Sequence, residues 1–336
     1  MVLGQGPVVD LGYSQYEGTA LSSGVDQYLG MRFAAPPLGN LRFKAPAEPL
    51  TATGIQIATE VASFTTLYEI FPPNYFPVST ALFGSPSSAT PRSKLPVWVY
   101  IQGGGYTQNS NGNYNGSTVV ETSGNNIVFV NFNYRVGSWG FLASEKVRKN
   151  GNLNAGLLDQ DFLLQWVKSH IEQFGGDPNH VVIHGSSAGA GSVALHLTAY
   201  GGIDRGLFVG SIGESVFFSA QPKVPELEWQ FDRYVNNTGC SDSTDQLECL
   251  RALDTEILQA ANWTPTIDGH FIQDYPYVLF EKGKFIHVPI IFGNDNDEGT
   301  YFVPNATSPA DVATFFTDNY PHLTTHDTDA ITPFTH

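Results

Sequence analysis

Five short apolar runs bounded by turn residues punctuate the chain: Gln27–Phe33, Val97–Ile101, Ile127–Asn131, Val181–Ile183 and Val288–Phe292. Each is rich in β-branched or aromatic residues, and each predicts a strand. The runs lack apolar–polar alternation, which predicts strands buried on both faces, as in a mostly parallel sheet. Helical spacing lies between them. Leu158, Phe162, Trp166, Ile171 and Phe174 predict a helix over Ala155–Phe174, stopped by Gly-Gly-Asp-Pro. Val193, Leu197 and Tyr200 predict a second, with all three on one face, ending at Gly201-Gly202. Strands interleaved with helices predict an α/β fold. Two stretches fit poorly. Val61–Ser93 has scattered aromatics without a sustained period, and the tail over 303–336 holds one helix-like piece, DVATFFTDNY, before a polar, Thr-rich end. With no internal repeat and no long linker, residues 1–336 read as a single domain.

Length and composition narrow the partners. A chain of 336 residues suits one large α/β domain, and 32 acidic against 16 basic residues give a net charge of −16. Nucleic acid and anionic membrane surfaces require clustered Lys and Arg, so both are set aside. No apolar run reaches the roughly 18–20 residues of a membrane span. The opening MVLGQGPVVDLGYSQYEG has neither the basic nor the apolar region of a secretory signal. Cys240 and Cys249 read either as a surface disulfide or as two free thiols. Asn115-Gly-Ser, Asn236-Asn-Thr, Asn262-Trp-Thr and Asn305-Ala-Thr are glycosylation sequons, about as many as chance places in so Asn- and Thr-rich a chain.

The candidate chemistry centres on VVIHGSSAGAGSV. Gly185-Ser-Ser-Ala-Gly189 matches G-x-S-x-G with Ser187 in the middle, between a predicted strand and a predicted helix. So abrupt a turn forces the central serine into a strained conformation and presents its hydroxyl at a helix N-terminus. The short pattern also arises by chance, and the strand–turn–helix context is what favours a nucleophile. Upstream, VWVYIQGGGYTQ places three glycines directly after a strand. Backbone N–H groups of Gly104 and Gly105, with that of Ala188, would suit an oxyanion hole. Neither G-x-G-x-x-G spacing nor a P-loop lysine is present, so a phosphate loop is set aside.

The segments YLGMRFAAPPLGNLRFKAP, YIQGGGY, FVNFNYRVGSWGFL, NAGLLDQDFLLQWVKSHIEQFGGDPNHVVIHGSSAGAGSV and VPIIFGNDNDEGTYF occur in the order found in type B carboxylesterases. The resemblance covers about 11–302 and implies an α/β-hydrolase fold, an ester hydrolase activity and a small-molecule or lipid ester substrate. It implies Ser187 as nucleophile, Gly104, Gly105 and Ala188 as oxyanion donors, and a disulfide between Cys240 and Cys249 that favours a secreted protein. It also implies Glu298 as the triad acid, where the residues alone leave Asp295 and Asp297 as rivals. No cofactor or metal is expected; the acidic turn does not meet the spacing of a Ca²⁺ loop.

Three departures from the family stand out. Ser186 replaces an acidic residue before the nucleophile, Asp161 replaces an arginine and so implies a lost ion pair, and 61–93 replaces the segment that carries a lid in fungal lipases. The triad histidine is the largest gap. His170, His180, His184 and His196 flank the nucleophile and read as packing or surface residues, while His270 and His287 precede the acid. Of His322, His326 and His336, His326 is the weak candidate, 28 residues beyond Glu298 and with no strand before it. The expectation is therefore an α/β-hydrolase whose C-terminal part is missing and whose activity is low or nil. The alternative is a non-catalytic interaction protein on the same fold, similar to cholinesterase-like adhesion proteins. Tyr106, Trp139 and Phe217 would line a substrate pocket or simply pack in the core.

Overall fold

The computed structural model describes residues 6–60, 80–108, 115–258, 262–303, 305–320 and 323–331. In chain order its strands are β1 (Val8–Asp10), β2 (Gln15–Glu17), β3 (Thr19–Ala20), β4 (Val25–Arg32), β5 (Ile55–Ile57), β6 (Thr80–Pro86), β7 (Leu95–Ile101), β8 (Val128–Phe132), β9 (Gly176–Ser186), β10 (Gly210–Glu214) and β11 (Ile290–Gly293). The helices that bear on the site are α1 (Gly116–Thr122), α2 (Ala155–His170), α3 (Ala188–Leu197), α4 (Glu228–Asn237), α5 (Gln246–Ala252), α6 (Gly299–Phe302), α7 (Pro309–Asn319) and α8 (Thr325–Ile331).

Eight strands form one sheet in the order β11-β10-β9-β7-β8-β6-β4-β3. The run from β11 to β8 is parallel throughout, and the run from β8 to β3 is antiparallel. Over β6 and β8 every residue is buried, with both faces covered as the missing alternation required, whereas β11 is exposed throughout. Val97, Val99 and Ile101 of β7 face the main core with Leu163 and Val167 of α2 and Val193 of α3. Tyr100 faces the other way, against Val120 of α1 and Phe129 of β8. This is the α/β-hydrolase fold. Its parallel half matters for function, because the C-terminal ends of β7, β9, β10 and β11 all open on one edge.

The five predicted strands are present, and the differences have local causes. β9 is longer than its apolar run because pairing with β7 reaches back to Gly176, opposite Leu95, before an irregularity. The Ala155–Phe174 helix is α-helical only to His170, then tightens into a 3₁₀ turn over Ile171–Phe174 that ends at Gly175 with φ 81°. Tyr200 does not share a face with Val193 and Leu197. α3 stops at Leu197, and Tyr200, at φ 54°, packs its ring edge-on to Phe271. The largest omission is β6. It lies in the aperiodic 61–93 stretch, yet all seven of its residues are buried between β4 and β8. A strand buried on both faces and containing Gly84 and Pro86 carries neither alternation nor a clean apolar run. Residues 61–79 of that stretch lie outside the described ones. The small sheet β1-β2-β5 was not anticipated either.

Helix α2 ties the core together through polar groups. Asp159 is fully buried and holds Arg135 by both carboxylate oxygens: Nε donates to Oδ2 at 2.8 Å and Nη2 to Oδ1 at 2.7 Å. The backbone N–H of Arg135 adds a third bond at 3.0 Å. Asp161, in place of the family's arginine, makes an ion pair of its own with Arg205. Removing one partner of a buried bidentate pair strands the other charge in the core. Asp159→Ala is therefore expected to lower unfolding stability by about 3–5 kcal/mol, read from urea unfolding of both proteins.

Candidate active site

Ser187 is the single residue between β9 and α3, and it sits at φ 58° and ψ −124°. A non-glycine residue in that region costs about 1–3 kcal/mol and persists only where neighbours over-determine it. They do so here. Its N–H donates to the Glu214 carbonyl at 2.9 Å, and its own carbonyl accepts from Gly191 N at 2.9 Å and Phe217 N at 3.4 Å. The flanking glycines let strand and helix touch. A Cβ on Gly185 would lie 2.3 Å from the Gly189 carbonyl carbon, and one on Gly189 would lie 2.0 Å from the Ile101 oxygen. Ser187 is half-buried, with its side chain at the N-terminal end of α3.

The glycine loop after β7 lies against this turn. The sequence singled out Gly104 and Gly105, which adopt φ 108° and 61°. It missed Gly103. A Cβ there would lie 2.7 Å from the Ser186 oxygen and 3.0 Å from the Ser187 Cβ, so Gly103 sets the closeness of the loop to the serine. The Gly104 carbonyl accepts from Thr107 N and Gln108 N, closing the loop into a tight turn. Ala188 is the first residue of α3, so its N–H has no carbonyl partner within the helix.

Tyr106 anchors that loop. It is fully buried at φ 62°, its carbonyl accepts from Gly137 N at 2.7 Å, and its ring packs on Phe141 and Phe217. Its hydroxyl is buried against α3, where a Cβ on Gly191 would lie 2.5 Å from it. Tyr106 is therefore core. Trp139 also packs inward, stacked on Phe43 under the Arg42 guanidinium. Phe217 differs: it is 41% exposed while its amide donates to the Ser187 carbonyl.

A buried polar chain backs the turn. Gln160 Nε2 donates to Ser192 Oγ at 3.1 Å, and its carbonyl pairs with His196 Nε2 at 3.0 Å. Burial pushes His196 down to about 4, opposed by the Asp161 carboxylate. His184, on the opposite face of β9, accepts from Trp98 Nε1 at 3.1 Å, and its Nε2 comes within 3.3 Å of Glu214 Oε1 without hydrogen-bond geometry. Burial lowers its pKa as well, with Glu214 opposing. Both histidines are buried in the packing around β9 and α3.

The acid side of the site is looser. Glu298 follows β11 and accepts from Asp295 N at 2.7 Å, a local turn bond. Ile290, Ile291 and Phe292 of β11 are all exposed, and α7 buries none of its residues. His326 is exposed on α8, which packs against α7. Among the described residues no hydrogen bond or ion pair joins His326 to Ser187 or Glu298; His322 and His336 lie outside them. Cys240 and Cys249 do form a disulfide, with Cα atoms 5.8 Å apart. No group of three potential metal ligands occurs among the described residues. A groove of about 550 Å³ between 146–150 and 243–247 contains none of these site residues.

Two measurements check this geometry. Helix propensity alone makes Gly189→Ala stabilising by about 1 kcal/mol. The contact with Ile101 reverses the sign, and a loss of about 1–3 kcal/mol is expected in denaturant unfolding. His196 gives a pH dependence. Its folded form is neutral, whereas an unfolded chain takes up a proton as pH falls through about 6.5. The stability it contributes is intact above that pH and is lost progressively toward pH 4, by up to about 3 kcal/mol. Urea midpoints of His196→Asn should fall less steeply than wild type across that window.

Comparison with known proteins fits this architecture. A profile described as the carboxylesterase family matches residues 5–330. Lipase 2 of Geotrichum candidum is 34% identical over 91% of this chain and 66% of its own length, and Lipase 1 of the same organism is 33% identical over the same shares. The crystal structure of Aspergillus niger EstA superposes with a TM-score of 0.91 at 49% identity, covering 98% of this chain and 68% of that one. The chain therefore spans about two thirds of the length of these relatives. With a matching profile over nearly all its residues and the fold to go with it, the chain belongs to the carboxylesterase family.

Proposed function

We propose that the chain carries the nucleophile side of a carboxylic ester hydrolase. Ser187 is the nucleophile, Gly104, Gly105 and Ala188 donate to the oxyanion, and Glu298 is the triad acid. The observation that carries this reading is the strained serine between β9 and α3, facing a glycine loop held at contact distance. In that arrangement Ser187 Oγ attacks the ester carbonyl and the carbonyl oxygen gains charge beside the three N–H groups. Each such donor is worth about 2.7–4 kcal/mol of barrier. A histidine oriented by Glu298 would accept the serine proton and return it to the leaving alcohol, and water would then release the acyl group.

The substrate class is a carboxylic ester with an apolar acyl or alcohol part. Exposed Phe217 beside the turn supports this, as does similarity to proteins named lipases, one of them a secreted triacylglycerol lipase of Gibberella zeae. Because no described histidine meets Ser187 or Glu298, low turnover is expected of these 336 residues. The same observation favours the second reading, a non-catalytic interaction protein on this fold.

Fluorophosphonate labelling and p-nitrophenyl butyrate turnover, compared between the chain and Ser187→Ala, separate the two. Labelling that disappears with Ser187→Ala supports the nucleophile. Turnover lost in the same variant would place a base within the chain, and His326→Ala would then test α8. Equal labelling of both folded proteins would overturn the hydrolase reading.

A further inference from the structure

The Cys240–Cys249 bond has a consequence that does not depend on Ser187. A disulfide persists in oxidising compartments, and in a eukaryotic cell the secretory pathway that supplies one also attaches oligosaccharide to asparagine in N-x-[ST]. Two of the four sequons lie on or beside α4, the helix that leads into Cys240. Asn236 is exposed one residue before the end of α4, four residues ahead of Cys240, whose N–H donates to the Val235 carbonyl at 2.7 Å. Asn262 is exposed near the other end of the same helix, where its carbonyl accepts from Gln230 Nε2 at 2.9 Å.

Both asparagines stand on firmly packed backbone. Beneath Asn262, Trp263 is 2% exposed and packs edge-on to Tyr234 at 6.1 Å. Beside Asn236, Tyr234 and Val235 are buried. The side chains themselves point to solvent, so a bulky polar substituent would displace nothing. Trp229 of the same helix is 63% exposed, an apolar surface that flanking oligosaccharide would screen. The Asn115 side chain, by contrast, caps α1 by accepting from Ser117 N, and Ser117 is buried with Gln27 Nε2 on its hydroxyl. A bonded acceptor hydroxyl does not separate the others, since Thr238 donates to the Tyr234 and Val235 carbonyls at 2.9 and 3.2 Å as Thr307 does to Asp311.

We propose that Asn236 and Asn262 are N-glycosylation sites. In each, the side-chain amide nitrogen attacks the anomeric carbon of an oligosaccharide carried on a polyprenyl diphosphate. A C–N bond forms, the C–O bond to the diphosphate breaks, the diphosphate leaves with the electron pair and the amide loses one proton.

The test is to produce the chain behind a secretion leader in a eukaryotic host and map its peptides before and after peptide N-glycosidase treatment. Conversion of both residues to aspartate on release is expected. Asn236→Gln and Asn262→Gln should each remove one step of the mobility shift. Secreted chain with the disulfide formed but the Asn236 or Asn262 peptide unmodified would overturn the assignment of that residue. Secreted chain with reduced cysteines would overturn the compartment on which both rest. Neither readout uses turnover, so the outcome is separate from that of the Ser187 labelling.

Discussion

The crossing of α3 over β7 and β9 is the constraint from which the site follows. Helix and sheet meet where Gly189 lies against the Ile101 carbonyl, and any Cβ there would overlap it. So close an approach leaves one residue to turn the chain from β9 into α3, and that residue takes the positive φ. It also fixes where the next loop can go. β7 is the direct neighbour of β9, so the loop leaving β7 emerges beside the turn, and only glycine at 103 fits under Ser187. The strained serine and the closeness of the glycine loop are therefore two results of one packing contact.

Helix α2 holds this contact from behind through three successive polar residues in an otherwise apolar segment. Asp159 reaches back to Arg135 beyond β8, Gln160 reaches Ser192 and His196 on α3, and Asp161 reaches Arg205. All three are buried, and each finds a partner on a different element. A buried polar group without its partner is costly, so the three together specify how α2, α3 and the strand ends sit. The rigidity of the site is thus built from charge and hydrogen bonding as much as from the apolar core.

What the sequence made legible follows the same division. The strands β7, β8 and β9, helix α2 and the Ser187 turn are encoded locally, by apolar runs and by glycines a fixed distance apart, and pattern reading found them. β6 is specified by its two neighbours rather than by its own residues, and nothing in TALFGSP announces a central strand. The role of Gly103 was hidden because a run of three glycines does not say which one meets the serine. The partner of Asp161 was hidden because Arg205 is 44 residues away in sequence. Long-range partners leave little trace at either end.

The two sides of the candidate site stand in different mechanical condition, and this bears on the chemistry. Ser187 and the glycine loop are held by interlocking contacts, whereas Glu298 is fixed by a bond within its own turn, after a strand whose large side chains are exposed. A glycine at position 187 would adopt φ 58° without strain, so a turn that served packing alone would favour glycine there. The fold instead holds a serine at a cost of about 1–3 kcal/mol, with its carbonyl and amide tied on three sides. Such strain fits the proposal that the Ser187 hydroxyl meets a reacting carbonyl, and the interaction-protein reading has no need of it. The geometry of the turn therefore favours the proposed hydrolase centre.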